Sequence, residues 1–247
     1  MRLASEENST ESASISVQGL VKSFDGKPVL RKLDLQVRPG ERYVLFGSNG
    51  SGKTTLLKSL AGIARPDEGT IRILGLDTRT HGPILRQHIG FVTHQPLLYE
   101  DLTGWENLRF YGRMYQVANL NHRIKVIGQQ LEVGRSLDQR VRTLSHGMKK
   151  RLAIARALLH DPSILLLDEP EAGLDEVALS LLDKTVFSRE EANRTILMTT
   201  HSLERGLQFG NRIGFLTRGR LTYEKPRDES NLTELREIFH MYKDSSP

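Results

Sequence analysis

The chain has 247 residues, 38% hydrophobic and 26% charged, long enough for one large domain or two modest ones at roughly 150 residues each and too apolar for wholesale disorder. With no cysteine, a disulfide framework, a thiolate metal site and a cysteine nucleophile are excluded, and no apolar run approaches the roughly 18 residues a membrane-spanning helix needs. Lys and Arg total 35 against 30 Asp and Glu, a surplus of +5 that suits anionic ligands; the basic residues are scattered, with no aromatic single-strand platform, so no nucleic-acid partner is expected.

Residues 1–13, rich in Ser, Glu, Asn and Thr with no apolar period, are expected to form a disordered N-terminal tail without the apolar core of a signal peptide. Alternating runs between Ile15 and Val37, split by the turn signal Asp25-Gly26-Lys27-Pro28, predict antiparallel strands. A buried strand at Tyr43 to Phe46, a glycine loop, a helix from about Lys53 to Ala61 closed by Gly62, and a strand at Thr70 to Leu74 follow. The stretch from Gln95 to about Leu159 reads mainly as helix. Two β-rich runs, Ile164 to Leu167 and Thr195 to Thr200, flank a helical segment, the pattern of parallel strands joined by a crossover helix. A hairpin around Arg218-Gly219-Arg220 and a polar C-terminal helix and tail over 231–247 complete the chain.

The glycine loop carries the first chemical signal. Gly47-Ser48-Asn49-Gly50-Ser51-Gly52-Lys53-Thr54 fits G-x-x-x-x-G-K-[ST] between an apolar strand and a helix, the context that pattern requires. Glycines let successive N–H groups point inward, the helix start adds partial positive charge, and Lys53 supplies a compact cation for the outer phosphates. Thr54 can place its hydroxyl on Mg²⁺, and Thr55 completes the nucleotide-binding set. A second signal is Ile164-Leu165-Leu166-Leu167-Asp168-Glu169-Pro170: a strand buried on both faces delivers Asp168 to hold Mg²⁺ and Glu169 to polarise the attacking water. A nucleotide and Mg²⁺ are therefore the expected ligands.

Leu144-Ser145-His146-Gly147-Met148, twenty-odd residues ahead of Asp168, resembles the signature of ATP-binding-cassette (ABC) proteins, with His146 and Met148 departing from the usual glycine and glutamine. The resemblance implies an α/β P-loop NTPase core, RecA-like, with an antiparallel β-subdomain and a helical subdomain near 95–155, the whole ATP-binding domain covering about 14–230. It implies an ATP hydrolase working as a head-to-tail dimer, of like or unlike subunits, in which Ser145 and Gly147 meet the γ-phosphate of the opposite subunit. By the same resemblance Phe24 stacks on adenine, Gln95 senses the γ-phosphate and Mg²⁺, Asp175 of Gly173-Leu174-Asp175 lies at the dimer seam, and His201 orients the γ-phosphate and water. Taken singly, Phe24 can equally be core, Ser145 a helix N-cap and His201 a satisfied polar residue.

No N-K-x-D base-reading motif is present, which rejects a GTPase. ABC ATPases acting on nucleic acid or ribosomes usually carry a long coiled-coil arm or two cassettes, neither of which fits here. A transporter subunit docking on separate membrane permease subunits, at the cytoplasmic face of the membrane, is the expected role, with Leu97, Leu98, Tyr99, Leu102 and Trp105 as the apolar docking candidates. The stretch Ile89 to Tyr115, with Leu158-Leu159-His160-Asp161-Pro162, is similar to bacterial haem-exporter ATPases of the CcmA type, which power cytochrome c maturation. That similarity implies a CcmB-like permease and no direct haem binding by this chain. Exporters of drugs, polysaccharides or lipid-like substrates are the alternative.

Overall fold

A computed structural model describes residues 13–187 and 193–243. The expected tail at 1–13 falls almost wholly outside the described residues, as does the end of the C-terminal segment.

Two sheets organise the chain. The first is antiparallel, in the order β2 (Lys27–Val37), β1 (Ile15–Phe24), β4 (Glu68–Ile73), β5 (Leu76–Asp77). The second has six strands in the order β10 (Arg220–Pro226), β9 (Arg212–Thr217), β3 (Arg42–Phe46), β8 (Thr195–Thr199), β7 (Ile164–Asp168), β6 (Ile89–Val92). Within it β9, β3, β8, β7 and β6 run parallel and β10 pairs antiparallel with β9.

Strand alternation divides the core. Tyr43, Leu45, Ile164, Leu166 and Leu197 face helix α1 (Lys53–Leu60) and the antiparallel sheet, packing with Leu56, Leu57, Ile15, Leu30 and Ile73. Their neighbours Val44, Phe46, Leu165, Leu167, Ile196 and Met198 face the other way, onto Leu152, Ala155 and Leu159. Because both faces are covered, β7 and β8 read as continuous apolar runs instead of alternating ones.

After α2 (Thr78–Leu85) and β6, the chain crosses a helical region made of α3 (Gly104–Met114), α4 (Leu120–Gln130) and α5 (His146–Leu158), then returns through β7. Helix starts only at Gly104, where Thr103 and Glu106 form a reciprocal capping box; residues between Val92 and Thr103 are not helical. α6 (Glu176–Val186) joins β7 to β8, α7 (Leu203–Phe209) joins β8 to β9, and α8 (Leu232–Lys243) ends the described chain. No helix among the described residues is long and apolar enough to cross a membrane.

Candidate functional site

Parallel pairing of β3, β8, β7 and β6 sends the C-terminal ends of all four strands to one edge of the sheet, where ligands of open α/β sheets collect. The glycine loop follows β3, Glu169 follows β7, His201 follows β8, and His94 and Gln95 follow β6. Four sequence-distant segments therefore meet because of strand order alone.

The loop between Phe46 and Lys53 is glycine-dependent at defined points. A Cβ on Gly47 would collide with the carbonyl oxygen of Leu216, and one on Gly52 would lie 2.8 Å from Leu30 Cδ2 at a φ of +111°. Ser48 and Thr55 are half-buried, and Asn49 and Gly50 are exposed at the loop's rim. Lys53 is buried, and its Nζ donates to the carbonyl oxygens of Gly47 (2.8 Å) and Ser48 (3.2 Å). Burial lowers its pKa, against which Glu169 and Asp168 act to raise it. Ser51 Oγ is buried without a hydrogen-bond partner. A buried hydroxyl lacking a partner, beside a desolvated cation and under backbone that excludes side chains, fits a polyphosphate.

Asp168 is fully buried at the end of β7, and both its carboxylate oxygens are engaged. Thr54 Oγ1 donates to Oδ2 and Thr199 Oγ1 to Oδ1, each at 2.8 Å. A hydroxyl and a carboxylate in direct contact form the hard-oxygen set that Mg²⁺ prefers. Glu169 has a left-handed backbone, φ +47°, held by its N–H donating to the Thr199 carbonyl (3.1 Å) and by Lys150 Nζ donating to its own carbonyl (3.2 Å). Its side chain pairs through Oε1 with His201 Nε2 and through Oε2 with His94 Nε2, the latter at 3.1 Å. A carboxylate in that setting retains lone pairs that can accept a proton from water.

Gln95 is not in this cluster: its side chain is exposed, and no hydrogen bond or ion pair joins it to Glu169. Residues 94 and 95 both lie beyond the end of β6, and of the two only His94 pairs with Glu169. Phe24 is 50% exposed at the end of β1, with Lys22 Nζ 5.2 Å from its ring centroid, so it is not a core residue. Ser145 caps α5, its Oγ accepting from Met148 N at 3.3 Å, and Asp175 caps α6, its Oδ1 accepting from Ala178 N at 2.8 Å. Gly147 faces open space, while a Cβ on Gly173 would lie 2.7 Å from the His146 ring, so the departing histidine packs on the Gly173-Leu174-Asp175 loop. No hydrogen bond or ion pair among the described residues ties Ser145, Gly147 or Asp175 to the Glu169 cluster.

Sequence reading passed over three contributors. His94 adjoins Gln95 in a His-Gln pair after an apolar run; Thr199 lies just before Thr200-His201; Lys150, buried in α5, stands in a basic triplet that reads as a solvated face. Burial lowers the pKa of Lys150, while Glu171, Asp168 and Glu169 act to raise it.

The sequence pattern described as "ABC transporter" matches residues 30–172, more than half of the chain. The Nod factor export ATP-binding protein I of Paraburkholderia xenovorans is 39% identical over 211 residues, 84% of this chain and 69% of that protein. Its namesake from Cupriavidus metallidurans is 35% identical over 219 residues, 87% of this chain and 72% of the relative. Among solved structures, an ATP-binding subunit of an ABC transporter superposes with a TM-score of 0.80 at 27% identity, covering 92% of this chain and 94% of the other. A dimeric ATP-binding cassette in a post-hydrolysis state, bound to ADP and phosphate, gives 0.76 at 28% identity, covering 86% and 98%. The family match and these relatives show that the chain belongs to the ABC transporter family, as an ATP-binding subunit that hydrolyses ATP.

Proposed function

We propose that the chain drives export through separate membrane permease subunits, and that Glu169 is the general base of its ATPase cycle. The observation that carries this reading is the pair at the end of β7: Asp168 bonded to Thr54 of the phosphate loop, and the next residue, Glu169, paired with His201. Lys53 and the loop N–H groups bind the phosphates of ATP, and Phe24 stacks on the adenine. Thr54 and Asp168 would hold Mg²⁺, which would neutralise charge on the phosphates, and Gln95, exposed beyond the end of β6, would sense the γ-phosphate and Mg²⁺. Glu169 accepts a proton from the attacking water, and His201 orients that carboxylate.

Ser145, Gly147 and Asp175 stand apart from the Glu169 cluster because they serve the nucleotide of a second cassette. Two chains facing head to tail bind two ATP molecules between them, and loss of the bridging phosphate charge on hydrolysis lets them part. The dimeric neighbour with ADP and phosphate supports that assembly.

Of the docking candidates, Leu98 and Trp105 pack on the core and Leu102 is half-buried, whereas Leu97 and Tyr99 are exposed, as are Phe110 and Met114 of α3, and these support docking on a permease at the cytoplasmic face of the membrane. Tyr99 and Phe110 meet edge to face at 5.2 Å, which gives the pair a fixed shape. As for cargo, relatives named as Nod factor exporters favour a factor of that kind over haem. The similarity of residues 89–115 to haem-exporter ATPases keeps haem export with a CcmB-like permease as the second reading.

The test is steady-state hydrolysis by Glu169→Gln, which removes the base and keeps the shape. Turnover is expected to fall roughly 10²- to 10⁴-fold with ATP binding intact. Undiminished turnover contradicts the assignment.

A further inference from the structure

β7 lies between β8 and β6 in the sheet, so the residue just beyond its end is flanked on both sides. Val92 of β6 pairs with Leu167, and Thr199 of β8 pairs with Asp168. His94 stands two residues past the end of β6, and His201 stands two residues past the end of β8. Their Nε2 atoms therefore reach Glu169 from opposite sides, one to each carboxylate oxygen.

The main chain of Glu169 is already pinned at its N–H by Thr199 and at its carbonyl by Lys150. What stays adjustable is the side chain, whose last torsion is intrinsically broad. One donor on Oε1 leaves the carboxylate free to swing about that contact. A second donor on Oε2 fixes its plane and leaves lone pairs on both oxygens for water.

We infer that His94 is a positioning residue for ATP hydrolysis, holding the Glu169 carboxylate in its reactive orientation from the side opposite His201. The inference rests on the reading of Glu169 as general base. His94 acts through Glu169 and is given no contact with nucleotide. Its ring is half exposed, with 52% of the side chain open to solvent, so replacing it leaves the core intact.

The test is steady-state ATPase of the full chain with three variants. His94→Phe keeps a ring and removes the donor, and it is expected to lower kcat about ten- to hundredfold, the scale of a misoriented reacting group, with KM for ATP changed less than twofold. His94→Gln, whose amide can donate to the same oxygen, is expected to recover most of that loss. In a Glu169→Gln background, His94→Phe is expected to cost nothing further.

Unaltered kcat in His94→Phe overturns the inference, as does a His94→Gln as slow as His94→Phe. A further large loss in the Glu169→Gln background also overturns it, because His94 then acts on something other than Glu169. Normal turnover by Glu169→Gln alone is a separate outcome that removes the general-base reading itself.

Discussion

Thr54 and Asp168, 114 residues apart, are joined by a 2.8 Å hydrogen bond from the threonine hydroxyl to Oδ2. This bond ties the helix that begins at the phosphate loop to the end of a central strand. It forms because β3 and β7 are parallel members of one sheet, so the loop after β3 and the last residue of β7 arrive at the same edge. Thr199 closes the other oxygen of the same carboxylate. Replacing Thr199 with Val removes one of two hydrogen bonds to a fully buried carboxylate. We expect a loss of about 1–3 kcal/mol in chemical denaturation, with reduced ATPase, and an unchanged denaturation midpoint would contradict that role.

Lys53 folds back on the loop through the carbonyl oxygens of Gly47 and Ser48. Lys53→Ala is expected to weaken ATP binding roughly ten- to hundredfold, as the loss of a charged hydrogen-bond donor to phosphate implies. Equilibrium titration with a fluorescent ATP analogue checks it. Retained affinity with lost turnover would move Lys53 from binding to chemistry.

Much of this site is legible in the sequence, and the reasons differ by residue. The phosphate loop is readable because its chemistry is contiguous: glycines, Lys53 and Thr54 lie within eight residues. Asp168 and Glu169 are readable because a strand buried on both faces is a continuous apolar run that ends abruptly in charge. His94 is not, because its role comes from β6 lying beside β7. β6 has only four residues, Ile-Gly-Phe-Val, all buried and without alternation, so neither the strand nor its place in the sheet can be inferred from pattern. The ten residues before α3 are a different case: Pro96 and the exposed Leu97, at φ +51°, interrupt a stretch whose composition otherwise reads as helix.

Tyr99 is half exposed, and its backbone is held by Asn107 through both its N–H and its carbonyl. Tyr99→Asp therefore alters the surface while preserving the loop. We expect the soluble ATPase to stay within twofold of the parent, while co-purification with the permease and permease-dependent stimulation are lost. Retained stimulation would place the docking surface elsewhere.

His160 provides a pH test away from the nucleotide. It stacks on Tyr115 with ring centroids 4.0 Å apart, its Nε2 meets the Ile89 carbonyl at 3.2 Å, and its Nδ1 is buried without a partner. Burial lowers its pKa to about 4. The unfolded chain, with an imidazole near 6.5, binds more protons than the folded chain in the intervening range. Its contribution is thus complete above about pH 6.5 and lost as pH falls towards 4. Denaturation midpoints between those values are expected to fall more steeply for the parent than for His160→Phe, and equal slopes would remove His160 as the source.

In the proposed cycle ATP is bound between two copies of this cassette, and Glu169 accepts the proton of the water that cleaves it. Sedimentation of Glu169→Gln with ATP and Mg²⁺ tests both parts at once. A stable dimer carrying two unhydrolysed ATP molecules, absent without nucleotide, is the predicted result. A monomer that turns over ATP at the parent rate would contradict the account.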